Sequence, residues 1–142
     1  MIETNSFLLH LPESWKVHDL GKRLEISTPN DGFIIVSSTC LSGDGLELND
    51  ILSRVEQNAI ISMQETAKQS ELVETFGPAS QTLPNGAIYT MMASFTTGKS
   101  YFLIQYSIRG PRTVMIVTFE GPAAAGQEID VVSKIFKEIE WL

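Results

Sequence analysis

Alternating apolar positions mark the first half of the chain. Phe7, Leu9 and Leu11 share one face of a strand from Ser6 to Leu11, which Pro12 ends because proline cannot donate to a β-ladder. Arg23 to Thr28 alternates again, Asn30-Asp31-Gly32 makes a turn, and Phe33 to Cys40 returns, which reads as a hairpin. After the loop Ser42-Gly43-Asp44-Gly45 the period changes. Leu48, Ile51, Leu52, Val55, Ala59 and Met63 recur at helical spacing, predicting an amphipathic helix from Leu48 to about Gln69, with Asn49 as a candidate cap.

Three strands follow, Ala87 to Thr96, Tyr101 to Arg109 and Thr113 to Glu120, joined by links short enough to demand antiparallel neighbours. A weaker strand falls within Leu72 to Leu83, interrupted at Gly77-Pro78. Tyr101 and Leu103 oppose Phe102, Ile104, Tyr106 and Ile108, while Val114 and Ile116 oppose Met115, Val117 and Phe119, so both faces of the sheet are expected to need cover. A second helix from about Ala124 to Glu138 turns Ile129, Val132, Ile135, Phe136 and Ile139 inward. The expected fold is α+β in the order β-β-β-α-β-β-β-β-α, one domain with a single antiparallel sheet flanked by two helices.

Composition narrows the function classes. The 142 residues hold 43% hydrophobic and 19% charged side chains, a balance that excludes a disordered chain. A net charge of −7 argues against general binding to nucleic acid or anionic membrane and permits a basic protein partner. The start of the chain carries Glu3 and no Lys or Arg before Pro12, unlike a signal peptide, and no apolar run approaches the ~20 residues of a membrane span. The cytoplasm is the expected compartment. Cys40 is the only cysteine, which excludes an intramolecular disulfide, and its place at the end of an apolar run predicts a buried, inert thiol.

The search for reaction chemistry yields little. Gly43-x-Gly45 lacks the third glycine of a dinucleotide fingerprint, and Asp44 and Asp50 lack the alternating ligands of an EF-hand. His10 and His18 are too few for a zinc centre. Ser37 and Ser38 lie mid-strand without a nucleophile elbow, and Glu13 with Glu25 forms an acid–base pair only by conjecture. No catalytic residue, metal site or cofactor is expected. Five acids, Asp31, Asp44, Glu47, Asp50 and Glu56, face one base, Arg54, between positions 31 and 56. They read as a solvated rim or, functionally, as a docking surface for a basic partner. Trp15 is expected to close the core beyond the first strand, and Trp141 to dock the C-terminus.

The segment Phe7-Leu8-Leu9-His10-Leu11-Pro12-Glu13-Ser14-Trp15 resembles the F-x-L-x-L-P-x-x-W opening of the PsbP-like, DcrB-like superfamily. The order of hairpin, Ile35-Val36-Ser37 before a glycine loop, long helix, meander and a final helix bearing Val132-Ser133-Lys134-Ile135-Phe136 agrees with it over nearly the whole chain. These motifs specify packing, and no catalytic residue is carried over with them. The resemblance implies a PsbP-like sandwich and a non-enzymatic bacterial protein-binding module. It points first to an immunity protein that neutralises a type VI secretion toxin, through the five acids above. It points second to an Eag-type chaperone that shields hydrophobic effector segments on a sheet face including Leu8, Ile35, Tyr101 and Leu103. A small hydrolase or ligand-binding domain is the third reading.

Overall fold

A computed structural model describes residues 2–3, 7–43, 45–69 and 72–142. It is α+β, and among the described residues ten antiparallel strands form two sheets rather than the expected one. The larger sheet has seven strands in the order β3-β4-β5-β9-β8-β7-β6. They are β3 (Lys16–Asp19), β4 (Arg23–Ser27), β5 (Phe33–Cys40), β6 (Glu74–Thr82), β7 (Ile88–Phe95), β8 (Tyr101–Arg109) and β9 (Thr113–Pro122). Helix α1 (Gly45–Gln69) lies on one face and α2 (Ile129–Lys137) on the other. The smaller sheet joins β1 (Ile2–Glu3), β2 (Phe7–Leu9) and β10 (Glu140–Trp141).

The expected first strand is therefore outside the main sheet. Its β2 pairs Leu8 with Glu140 and Phe7 with Trp141, which brings the two ends of the chain together. Pairing is chosen by available partners, and alternation within Phe7–Leu9 carries no information on which strand lies beside it. Strand β3 is absent from the sequence reading because Lys-Val-His-Asp lacks an apolar face; all four residues are exposed, as befits a charged edge. The interruption at Gly77-Pro78 is a bulge inside β6, where the register jumps from Phe76 opposite Ala93 to Ala79 opposite Met91. Gly77 has φ 93°, and a Cβ there would stand 2.6 Å from the Met91 carbonyl, so only glycine fits.

Helix α1 begins at Gly45, three residues ahead of Leu48, which places Asn49 inside the helix instead of at its cap. The second helix is preceded by a 3-10 turn, Ala123–Glu128, and becomes α-helical only at Ile129.

One continuous core fills the α2 side. It holds Phe102, Ile104, Tyr106 and Ile108 of β8, Met115, Val117 and Phe119 of β9, and Ile34 and Val36 of β5, against Val132, Ile135 and Phe136 of α2. Phe102 and Phe119 meet edge-to-face with ring centroids 5.0 Å apart, a favoured geometry for aromatic pairs. Trp15 belongs to this core, and Trp141 covers Gly110, where a Cβ would lie 2.7 Å from the indole. The hairpin between β4 and β5 is locked to the 3-10 turn: the Thr28 hydroxyl donates to buried Glu128 at 2.5 Å and accepts from the Gly32 amide at 2.9 Å.

Cys40 is exposed, contrary to expectation. It stands at the last position of β5, beyond the residues whose faces are covered.

Candidate functional site

Register assigns each strand residue to a face. Ile35 pairs with Thr118, and Thr118 with Gln105, so Ile35, Thr118, Gln105, Leu103 and Tyr101 share the α1 side. On this side α1 packs on β7, β8 and β9, running from Leu48 and Leu52 against Val114 to Met63 and Ala67 against Met92. Strands β3, β4 and β5, with the Ile116-to-Glu120 half of β9, lie beside the helix. Glu25, Phe33, Ile35, Ser37, Ile116, Thr118 and Glu120 are half-buried there, whereas Leu24, Ile26, Ile34, Val36, Met115, Val117 and Phe119 on the reverse are buried. The expectation of a helical cover over both faces thus holds for one face and for part of the other. A helix about 10 Å across covers only two or three strands spaced about 4.8 Å apart, so β3, β4 and β5 lie beyond it.

Of the four candidate apolar residues, Ile35 is half-buried on this flank and Tyr101 is 38% exposed at its edge, whereas Leu103, on the same face, is buried. Leu8 does not join them: it belongs to the small sheet, whose Phe7 and Leu9 enter the core on the α2 side. The polar rim of the flank is largely paired. Arg23 and Glu25 form a 2.7 Å ion pair, and Tyr101 is pushed up to about 12 by burial first and then by its hydrogen bond to, and the charge of, Glu120. The Tyr101 hydroxyl and the Glu120 carboxyl at the edge of Ile35 and Ile116 make a surface that is apolar inside and polar outside.

The five acids do not gather. Glu47 and Asp50 are exposed on the first turns of α1, and Asp31 is exposed in the β4–β5 turn. The seven residue steps of β5 separate the latter from the former, about 23 Å of strand. Glu56 is 8% exposed and faces Arg109 at 3.7 Å, so it is unavailable for docking. Its position, four residues after Leu52 and three before Ala59, lies on the buried stripe of α1, so the reading of Glu56 as a docking acid is corrected. Asp44 lies outside the described residues.

Beneath α1 lies a polar seam that the sequence reading missed. Thr90, Ser94, Gln105 and Ser107 are all buried, and Arg109 reaches up to donate to the Ser53 hydroxyl at 3.0 Å and to the Asn49 carbonyl. Glu56 Oε2, Gln105 Oε1 and Ser107 Oγ are buried without a hydrogen-bond partner among the described residues. The signal was present in Gln105-Tyr106-Ser107-Ile108-Arg109, where every second residue of an otherwise apolar strand is polar.

Reaction chemistry is not assembled here. Ser37 sits mid-strand opposite Arg23 and Ile116, His10 pairs with Glu140 at 3.2 Å in the open, and His18 lies on the exposed edge strand β3. Among the described residues no three His, Cys, Asp or Glu side chains stand close enough to hold a metal ion. No described helix is long and apolar enough to cross a membrane. Comparison with protein-family models and with curated proteins finds no match for the chain.

Proposed function

We propose that the protein is a non-enzymatic protein-binding module that seats an apolar segment of a partner on the open flank of its sheet, in the manner of an effector chaperone. The observation that carries this reading is the half-buried set Ile35, Ile116 and Thr118, framed by Tyr101 and Glu120, on strands that α1 leaves uncovered. An apolar patch rimmed by polar groups is the usual form of a protein-binding surface. The partner would supply the missing cover, laying one helix beside α1 at a spacing of about 10 Å. No cofactor or metal takes part.

The immunity reading keeps one supporting observation, the net charge of −7, with Glu47 and Asp50 as its exposed contacts. It calls for a basic toxin and for an association rate that falls steeply with salt. The two readings separate in one experiment. A photo-crosslinking residue is placed at position 35, 116, 47 or 50, or at the exposed control Glu138, in cells that make the protein. Adducts at 35 and 116 alone support the flank. Adducts at 47 and 50 alone transfer the function to the acids, and none at any of the four removes both.

A further inference from the structure

We propose that the segment received by the open flank is an amphipathic helix with carboxylates along one edge, the edge turned away from α1. The inference rests on the flank reading given above and names the partner's chemistry. Cross-strand register lays the α1 side of the flank out in rows. Three neighbouring rows have Phe33, Ile35 and Ile116 as their apolar residues, and they end outward at Lys16, His18 and Arg23 respectively. Leu20 stands 53% exposed where β3 turns into β4, on the same side as Lys16 and His18. The apolar floor is therefore bordered on its outer side by bases, although the whole chain carries a net charge of −7.

The two borders of the flank have opposite signs. Every residue from 16 to 23 is exposed, and this stretch holds Lys16, Lys22 and Arg23 against one acid, Asp19, whose carboxylate accepts from the Gly21 amide. On the exposed surface of α1, Glu47, Asp50 and Glu65 outnumber Arg54 and Lys68. The acids of the floor itself are already engaged, Glu25 by Arg23 at 2.7 Å and Glu120 by the Tyr101 hydroxyl. Lys16 and Lys22 have no ion-pair partner among the described residues. Strand β3 lies two strand spacings, about 10 Å, beyond β5. A helix about 10 Å across that rests on Phe33, Ile35 and Ile116 thus carries its outer edge over these bases. Carboxylates on that edge meet Lys16 and Lys22, whereas on the inner edge they would meet the acids of α1. Complementarity of this kind selects the partner and also fixes which of its edges faces outward.

Synthetic helical peptides of about 18 residues provide the test. They share a leucine face and differ only along one edge, which carries Glu, Gln or Lys. Fluorescence anisotropy with the full chain at about 50 mM salt is expected to show the Glu peptide binding ~10-fold tighter than the Lys peptide, with Gln between. Lys16→Glu with Lys22→Glu should reverse that order; Lys16→Gln with Lys22→Gln should level it, and serves should the charge-reversed chain not fold. Ile35→Asn should weaken all three by at least ~10-fold. Equal affinities or a preference for Lys, still lost in Ile35→Asn, would overturn the inference and leave the flank reading standing. No binding, or binding that Ile35→Asn does not change, would overturn both. Sedimentation of the chain with phosphatidylserine vesicles, or a dimer that Ile35→Asn dissociates, would give the flank another occupant and also overturn the inference.

Discussion

The two faces of β8 are built by different rules, although they belong to one strand. Phe102, Ile104, Tyr106 and Ile108 enter a core that runs without interruption to α2, β2 and Trp15. Gln105, Ser107 and Arg109, alternating with them, lie on the α1 side, where small apolar clusters near the two ends of the helix are joined by the bonds of Arg109 to Ser53 and Glu56. Hydrophobic burial scales with apolar area removed from water, so the first face supplies most of the fold's stability. The second face gives some of that up. What it retains is a flank that α1 leaves uncovered.

The contrast is broken or sharpened most directly by deletion in the two layers. Phe136→Ala, in the filled core, is expected to cost about 3–5 kcal/mol in denaturant unfolding. Leu52→Ala, in the small cluster with Leu48 and Val114, should cost about 2 kcal/mol, because fewer buried side chains pack against it. Equal costs would mean that α1 is as much part of the core as α2.

Thr28→Val removes the hydroxyl that bridges Gly32 and Glu128 and leaves a buried carboxylate oxygen unpaired, for an expected loss of about 1–3 kcal/mol. That loss should appear as a lower denaturant midpoint in global unfolding.

Alkaline titration separates the faces by a different property. Burial pushes Tyr89 up to about 12, only partly relieved by its 2.9 Å hydrogen bond to Ser133, and drives Tyr106 beside it higher still. The unfolded chain releases these protons near pH 10 while the folded chain holds them, so stability is complete below pH 10 and falls as pH rises from there toward 12 and beyond. Tyr89→Phe should flatten that fall. Tyr101→Phe on the open flank should flatten it less, because the more exposed ring is better screened. A larger effect from Tyr101 would show the flank to be covered in solution.

The smallest expected change in stability is at the proposed contact surface itself. Ile35→Asp and Ile116→Asp, in half-buried positions, should shift unfolding by no more than about 1 kcal/mol. They should nevertheless abolish crosslinking from the neighbouring flank position. Binding that survives both substitutions would leave the flank as a bare sheet surface without that role.

Local pattern determined a good part of this protein. The 3.6-residue spacing of Leu48, Leu52, Val55, Ala59 and Met63 was enough for α1, two-residue alternation for β4, and apolar runs bounded by turn signals for β5, β7, β8 and β9. Such patterns work because each element must bury one face of its own. The tertiary structure decided what those patterns leave open: that β2 pairs with the C-terminal β10, that Lys16–Asp19 closes an edge, and that Arg109 is the partner of Glu56. It also decided that a single helix spans only part of a seven-stranded face. These depend on which surface lies opposite each element, and on the width of a sheet against that of a helix, quantities set by contacts between residues far apart in the chain.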